Sequence, residues 1–283
     1  MNPKAMLHTR NHDRDSAGMD YVYPVVSRRA GGVSIGINLN PDNRCNWHCL
    51  YCQVPNLQRG HAPQIDLARL HDELHTLLDD VLHGNFMQER VAAGQQRLCD
   101  IAFSGNGEPS SSPQFEACME TVIAVKQYFA LDELPLRLIT NGSYMRKAYV
   151  QAALKNMAKH QGEVWIKVDA VAPADVARIN GVHMTPQQLL EQLSIAARCC
   201  PTWIQSCFFH DSKGRDANAR SYDWLAWLRQ VKAEKIPIQG VLLYGLARPS
   251  MQPEAAEISA QDEVWMEGLA QQVQALGIPV KCN

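Results

Sequence analysis

Strand-like apolar runs alternate with amphipathic helical patterns along most of this 283-residue chain, and this alternation limits its fold more than any other feature. The first three runs are VSIGINLN, DIAFSG and LPLRLITNG, and a segment with helical periodicity follows each of them. Parallel strands need helical crossovers, so short connections of this kind build a sheet that helices cover. The sequence therefore predicts an α/β fold.

The alternation continues through EVWIKVDA, TWIQSCFF and IPIQGVLLYGL, and it ends with the strand-like run IPVKC. Six such units predict a partial (βα)6-type parallel barrel over residues 30–283. A chain of this length with 46% hydrophobic residues can bury one large core. Residues 1–29 are polar, and we expect them to form a mobile N-terminal extension.

Two of the predicted strands have one polar face. From Val33 to Leu39 every second residue is apolar, and the residues between them are Ser, Gly or Asn. In the fourth strand, Trp165, Lys167 and Asp169 alternate with apolar residues. Central parallel strands are normally apolar on both faces, so the polar face predicts a lumen that holds a ligand near the carboxyl ends of the strands.

Three cysteines follow the first strand in RCNWHCLYCQ, at a C-x3-C-x2-C spacing. A structural zinc site uses four ligands, and no second pair follows at the expected distance. Two possibilities remain: a catalytic zinc with a bound water, or an iron–sulfur cluster with one iron open to a ligand.

A glycine-rich turn, SGNGEP, follows the second strand. Its two glycines let the backbone approach a ligand closely, and Glu108 supplies a carboxylate. Taken alone, the same turn is also consistent with an ordinary connection in which Pro109 opens a helix.

The cysteine loop, Tyr51 before its last cysteine, the GNGEP turn and TNG after the third strand together resemble the radical S-adenosylmethionine (SAM) enzymes. The resemblance spans about Val33 to Cys282. The runs LNPDNRCNWHCLYCQ, FSGNGEP and LITNGS are most similar to the branch that contains 4-demethylwyosine synthase-like iron–sulfur oxidoreductases. The chain departs from that synthase in lacking the upstream cysteines of a second cluster.

The resemblance implies a role for each matching residue. Cys45, Cys49 and Cys52 would ligate a [4Fe-4S] cluster, whose fourth iron binds the amino and carboxylate groups of SAM. The segment Gly105, Asn106, Gly107 and Glu108 would hydrogen-bond the methionine amino group. Tyr51 would lie near the adenine, and Asn141 and Asp169 are candidates for the ribose and methionine contacts.

Five further residues near the ends of the later strands are candidates for catalysis or substrate contact: Lys167, Gln205, Cys207, Tyr244 and Arg248. An inward lysine needs a partner, so Lys167 would pair with the methionine carboxylate or with Asp169. Arg248 would clamp an anionic substrate group, or form a surface ion pair.

Charge and hydropathy limit the partners. A formal net charge of −2 gives no electrostatic footprint for general nucleic-acid binding. No run approaches the roughly 18 apolar residues of a membrane span, and the N-terminus has no apolar signal region. We therefore expect a cytoplasmic protein. The resemblance implies a small-molecule substrate and a reducing electron donor such as flavodoxin or ferredoxin.

The implied reaction is reductive cleavage of SAM to a 5'-deoxyadenosyl radical that abstracts hydrogen from a substrate still to be identified. Three alternatives stay open. These are an activase that generates a glycyl radical on a partner protein, a tRNA-modifying wyosine-type enzyme, and a non-catalytic iron–sulfur or zinc-binding protein.

Overall fold

The computed structural model describes residues 6–7, 17–27, 31–246 and 248–282. The strands are β1 Val22–Ser27, β2 Gly32–Ile37, β3 Arg44–Cys45, β4 Gln58–Arg59, β5 Leu98–Phe103, β6 Leu136–Thr140, β7 Gly162–Lys167, β8 Thr202–Cys207, β9 Phe209–Asp211, β10 Ile238–Tyr244, β11 Ile258–Ala260 and β12 Val280–Cys282. The helices are α1 Leu67–Leu82, α2 Phe86–Arg90, α3 Phe115–Tyr128, α4 Ala148–Met157, α5 Pro173–Asn180, α6 Pro186–Cys199, α7 Ala217–Ala233 and α8 Glu263–Ala275.

Eight strands form one sheet, in the order β1-β2-β5-β6-β7-β8-β10-β12. Strand β1 is antiparallel to β2, and every other neighbouring pair in this sheet is parallel. All seven parallel strands, β2, β5, β6, β7, β8, β10 and β12, correspond to predicted runs. The predicted α/β fold with a parallel sheet is therefore confirmed.

The core lies between the sheet and its helices. In β2 the side chains of Val33, Ile35 and Ile37 are fully buried. Helix α1 places Leu70, Leu74 and Leu77 on one buried face, because residues three and four apart share a side of a helix. Its first turn is fixed by Asp66, whose carboxylate accepts a hydrogen bond from the backbone N–H of Arg69 at 3.0 Å.

The N-terminal part of the chain differs from the prediction of a mobile extension. Residues Val22–Ser27, within the predicted extension, form β1 and are mostly buried against β2. The predicted boundary between residues 29 and 30 lies outside the described residues, so the division into extension and domain stays a prediction. No helix in the described part of the chain is long and apolar enough to cross a membrane.

Several short elements are absent from the sequence prediction. Helix α5 has only eight residues and follows β7 directly, beginning with Pro173 in its first turn. Strands β9 and β11 pair with each other outside the main sheet. These elements are too short to show a clear periodicity, yet α5 and its neighbours help to position the cysteine loop.

Candidate functional site

A cavity of about 340 Å³ lies where the parallel strands end, and the three cysteines of the loop line it. Its lining brings together nearly all residues that the sequence singles out: Cys45, Cys49, Tyr51, Cys52, Gly105, Asn106, Gly107, Glu108, Asn141, Lys167, Gln205, Cys207, Tyr244 and Arg248. Asp169 is buried beside the cavity. Residues spread over two hundred positions thus share one site.

The cysteine loop is attached to the end of helix α5. The backbone N–H of His48 donates to the carbonyl of Asn180 at 3.0 Å, and that of Leu50 donates to Ile179 at 2.8 Å. Arg59 adds side-chain hydrogen bonds to the carbonyls of Asn46 and Gly181. Backbone groups of the loop are therefore satisfied by neighbouring elements, which fixes its course.

A second attachment comes from the segment 248–252 after β10, here called the strap. Ser250 Oγ donates to the carbonyl of Leu50 at 2.6 Å, and the backbone N–H of Met251 donates to that of Cys52 at 2.9 Å. Gln252 Nε2 donates to the carbonyls of Cys52 and Val54, at 3.1 and 2.8 Å. Ser250 and Gln252 are themselves buried. The strap thus holds the backbone on both sides of the last cysteine and at the cysteine itself.

The glycines of the GNG turn allow it to touch the cysteine loop. A Cβ added at Gly107 would lie 2.1 Å from the carbonyl oxygen of Arg44, beside Cys45. Gly105 has φ +131, a conformation that favours glycine, and an added Cβ would meet the Asn38 side chain at 2.4 Å. The turn is therefore a support for the loop as well as a wall of the cavity.

The sulfur atoms of the loop have donors that suit thiolate ligands. The amide Nδ2 of Asn180 lies 3.4 Å from Cys49 Sγ, and the backbone N–H of Trp47 lies 3.4 Å from Cys45 Sγ. Burial raises the pKa of the Cys45 thiol to about 12 and also raises that of Cys49. The free thiols are thus protonated, and binding of a metal would release their protons.

Within the described ranges, no three His, Cys, Asp or Glu residues converge on one point that could hold a metal ion. Three soft thiols on one loop nevertheless fit an iron–sulfur cluster in the chemistry of their donors. In such a cluster each cysteine binds a different iron, so the sulfur atoms need not converge. The hydrogen bonds to Cys45 and Cys49 are of the kind that tune iron–sulfur centres.

Glu108 is tied to the protein by four hydrogen bonds. Its Oε1 accepts from the backbone N–H and hydroxyl of Ser110 and from Thr140 Oγ1, and its Oε2 accepts from the backbone N–H of Asn141 at 2.6 Å. Burial raises the pKa of Glu108, although these hydrogen bonds act against that rise. The carboxylate has one acceptor position left on Oε2 for the predicted contact with an amino group.

Asn141 also faces the cysteine loop. Its Nδ2 donates to Asn46 Oδ1 at 2.9 Å, and its Oδ1 accepts from the backbone N–H of Ser143 at 3.0 Å. Trp47, which is buried, donates from Nε1 to Ser143 Oγ at 2.9 Å. Asn141 therefore braces the loop in this structure, and its predicted role as a ribose or methionine contact stays a prediction.

A hydrogen-bonded chain crosses the wall next to Cys49. Tyr51 donates to Asp169 Oδ2 at 2.5 Å, and that carboxylate also accepts from Asn180 Nδ2 and from the backbone N–H of Cys207, both at 2.9 Å. Lys167 Nζ lies 3.4 Å from the hydroxyl of Tyr51 and 3.2 Å from that of Tyr244. Lys167 therefore approaches two phenols, and it forms no ion pair with Asp169.

The remaining candidates, Gln205, Cys207 and Arg248, also line the cavity. Cys207 is buried and faces the same space. Gln205 is 2% exposed, and its Oε1 has no hydrogen-bond partner in the described part of the chain. Arg248 Nη1 donates to Gln53 Oε1 at 2.9 Å, next to the last cysteine. The structure thus places Arg248 at the cavity, with a contact to the cysteine loop.

Sequence reasoning does not identify the residues that hold the loop: Trp47, Asn180, Ser250 and Gln252. Each is a single polar or aromatic residue with no repeated spacing around it. The only sequence signal is Trp47 itself, because a tryptophan between two cysteines of a loop needs a buried site for its ring and a partner for its N–H.

No protein-family model matches the chain. The chain is similar to the GTPase Obg of Brachyspira hyodysenteriae, with 25% identity over 131 residues, which are 46% of this chain and 17% of that protein. It therefore spans far less than two thirds of that relative's length. The present sequence contains no G-x4-G-K-[S/T] segment, the phosphate-binding motif of P-loop GTPases.

Solved structures are similar over a larger share of this chain than that relative is. A radical SAM methyltransferase from Sphaerobacter thermophilus is similar over 93% of this chain and 68% of that chain, with a TM-score of 0.61 and 11% identity. A cysteine-to-alanine variant of spore photoproduct lyase is similar over 82% of this chain and 70% of that chain, with a TM-score of 0.54 and 8% identity. At these identities the likeness establishes only that the chain shares the fold of these two structures.

Proposed function

We propose that this chain is a radical SAM enzyme in which Cys45, Cys49 and Cys52 hold a [4Fe-4S] cluster. The observation that carries the proposal is that all three cysteines line one cavity at the carboxyl ends of the strands, opposite a glycine turn that touches their loop. When bound, the cluster would deliver one electron to SAM and release a 5'-deoxyadenosyl radical that takes hydrogen from a substrate.

The residues around the cavity would bind SAM and exclude water. Gly105, Asn106, Gly107 and Glu108 present backbone groups and one free carboxylate acceptor toward the methionine end. Tyr51, held by Asp169, supplies a ring face that suits an adenine. Asn180 and Trp47 donate hydrogen bonds to cysteine sulfur, which stabilises the charged thiolates.

The branch of the family, the substrate class and the electron donor are also proposals. The similarity of LNPDNRCNWHCLYCQ, FSGNGEP and LITNGS favours the branch that contains 4-demethylwyosine synthase-like iron–sulfur oxidoreductases. We propose a small-molecule substrate in place of tRNA, because the net charge of −2 provides little attraction for a phosphate backbone. We further propose flavodoxin or ferredoxin as the electron donor. A shared fold does not choose the substrate.

The test is anaerobic reconstitution of the full chain, followed by iron and sulfide analysis and electron paramagnetic resonance of the reduced protein with and without SAM. We expect about four irons per chain, a signal that SAM changes, and formation of 5'-deoxyadenosine. Cys49→Ala should abolish all three. The matched control is Cys282→Ala, which removes an exposed thiol outside the cavity and should leave them intact.

Two results would contradict the proposal. Retention of iron and SAM cleavage in Cys49→Ala would show that the loop does not hold the cluster. Bound zinc in the wild-type chain would favour a non-catalytic metal-binding protein. So would a cluster whose paramagnetic signal does not change when SAM is added.

A further inference from the structure

Lys167 and Gln205 occupy paired positions on neighbouring parallel strands, β7 and β8. Both side chains line the cavity. Residues at paired positions of adjacent strands point to the same face of a sheet, so an ammonium and a carboxamide lie side by side in the lumen. Lys167 also contacts the cysteine loop, through the hydroxyl of Tyr51 at 3.4 Å.

The Lys167 ammonium makes no direct ion pair with an Asp or Glu among the described residues, although the negative charge of Asp169 favours its charged form. Its Nζ lies near the hydroxyls of Tyr51 and Tyr244, and 5.2 and 5.8 Å from the centres of their rings. The carboxylate of Asp169 is taken up by other donors, and no Asp or Glu among the described residues forms an ion pair with Lys167. An enclosed ammonium is most stable in direct contact with an anion, so an anionic group in the cavity would supply the contact that Asp169 does not make.

The carboxamide of Gln205 is unsatisfied as well. The side chain is almost fully buried, and its Oε1 has no partner along the described chain. Buried amides in proteins are normally hydrogen-bonded, and exceptions call for an explanation. A ligand with an N–H or O–H group next to its anionic group would satisfy Gln205 while it pairs with Lys167.

The cavity lining near Lys167 and Gln205 indicates the size and polarity of the rest of the ligand. Ala102, Ile139, Trp165 and Leu246 also line the cavity and offer apolar or aromatic surface. The cavity of about 340 Å³ is at the small end of the range for ligand sites, and under the proposed function SAM would take up part of it. The available space therefore suits a compact molecule with a flat or apolar body.

We propose that Lys167 and Gln205 recognise the substrate, and that this substrate is a small carboxylic acid with an N–H or O–H donor beside its carboxylate. The proposal rests on the proposed radical SAM function and names the substrate class of that site. SAM also has a carboxylate, so the experiment must distinguish binding of SAM from binding of the acid.

Three probes of nearly equal size test the class: pyrrole-2-carboxylate, its neutral amide pyrrole-2-carboxamide, and furan-2-carboxylate, which lacks the N–H donor. Binding is measured by ligand-observed nuclear magnetic resonance on the cluster-loaded full chain with SAM present. We expect the pyrrole acid to bind at least tenfold more tightly than its amide, because only the acid pairs with Lys167. It should also bind several-fold more tightly than the furan acid, because only the pyrrole donates to Gln205.

Variants assign each preference to one residue. Lys167→Met should remove the preference for the acid, and Gln205→Leu should remove the preference for pyrrole over furan. Lys281→Met is the matched control, because this exposed lysine of the same sheet lies over Trp203 and outside the cavity lining. Each variant is also checked for the SAM-dependent change in the paramagnetic signal. We expect Gln205→Leu and Lys281→Met to retain it in full, and Lys167→Met to retain it with a small weakening through the lost contact with Tyr51.

The outcomes separate the two proposals. If the wild type responds to SAM but binds the three probes equally, or binds none, the substrate class is wrong and the radical SAM function stands. If Lys167→Met loses the response to SAM, the lysine serves SAM and the assignment to substrate is overturned. If the wild type shows neither response nor preference, the proposed function itself fails.

Discussion

Single atoms at the GNG turn decide how closely it approaches the cysteine loop. We predict that Gly107→Ala destabilises the fold by about 1–3 kcal/mol and lowers the iron content, because the new methyl group meets the Arg44 carbonyl and the Asn40 side chain. Thermal unfolding and iron analysis after reconstitution measure both effects.

Gly268→Ala is the matched control for that change. Gly268 lies inside α8, and an added Cβ would meet no heavy atom within 4 Å. Alanine is the better helix former, so this variant should gain about 0.5–1 kcal/mol and keep its iron. Equal behaviour of the two variants would show that the turn has room to move away from the loop.

At the residue scale, sequence reasoning found the groups that face the cavity and missed those that hold them. The inward positions Trp165 and Lys167 follow from strand alternation, and the cavity confirms them. Asn180 and Gln252 have no such pattern, because their partners lie 131 and up to 200 residues away in the chain. Contacts of that separation depend on the folded topology, which local sequence does not encode.

The strap is the element whose loss should affect the last cysteine most. We predict that Gln252→Ala costs about 1–3 kcal/mol, because the buried carbonyl of Val54 loses this donor and the carbonyl of Cys52 loses one of its donors. The iron content should fall with it.

Gln96→Ala provides the comparison, since Gln96 also donates to two carbonyls, those of Met87 and Val91, away from the cysteines. It should change stability without changing iron binding. A parallel loss of iron in both variants would mean that the strap acts only through general stability.

The junction between α5 and β9 should make stability depend on pH. Arg178 donates to both oxygens of Asp211, at 2.9 and 2.8 Å, and to Glu257 at 2.6 Å. Burial would raise the pKa of Asp211, but these bonds and backbone N–H groups outweigh it and lower that pKa. A lowered folded-state pKa adds stability above the unfolded value of about 4, and this stability is lost as the pH falls through the folded value.

We therefore predict that Arg178→Gln destabilises the chain by about 2 kcal/mol at pH 7 and by less at pH 3. Urea unfolding of the cluster-free protein at the two pH values measures the difference. Arg146→Gln is the control, because the pair of Arg146 with Glu191 is exposed and should contribute less than about 1 kcal/mol. A loss that is the same at both pH values would contradict the assignment to Asp211.

At the level of elements, long periodic segments were predictable and short ones were not. All seven parallel strands and the helices α1, α3, α4, α6, α7 and α8 correspond to predicted runs. Strand β1 was missed because YVYPVVS was included in the polar N-terminal extension, although this run is rich in β-branched and aromatic residues. Proline is tolerated on an edge strand, which is where β1 lies.

For the whole molecule, the position of β1 predicts where the chain can be shortened. A chain that begins at Gly31 loses β1 and exposes the backbone groups of β2 that pair with it. Exposed strand edges promote aggregation, so we expect this truncation to give little soluble protein. A chain that begins at Ala17 keeps β1 and should remain soluble.

Soluble yield and thermal unfolding compare the two truncations. Equal solubility and stability would support the predicted domain boundary between residues 29 and 30. Loss of solubility only in the shorter chain would move that boundary to the N-terminal side of β1.

The order of synthesis determines when the strap can bind the cysteine loop. Ser250 and Gln252 bind carbonyls about 200 residues earlier in the chain. At a translation rate of 5–20 residues per second, the cysteine loop leaves the ribosome roughly 10–40 seconds before the segment that fastens it. During this interval the strap forms no hydrogen bonds with the loop that carries the three thiols. The proposed cluster would therefore meet a complete site only after the strap has been synthesised.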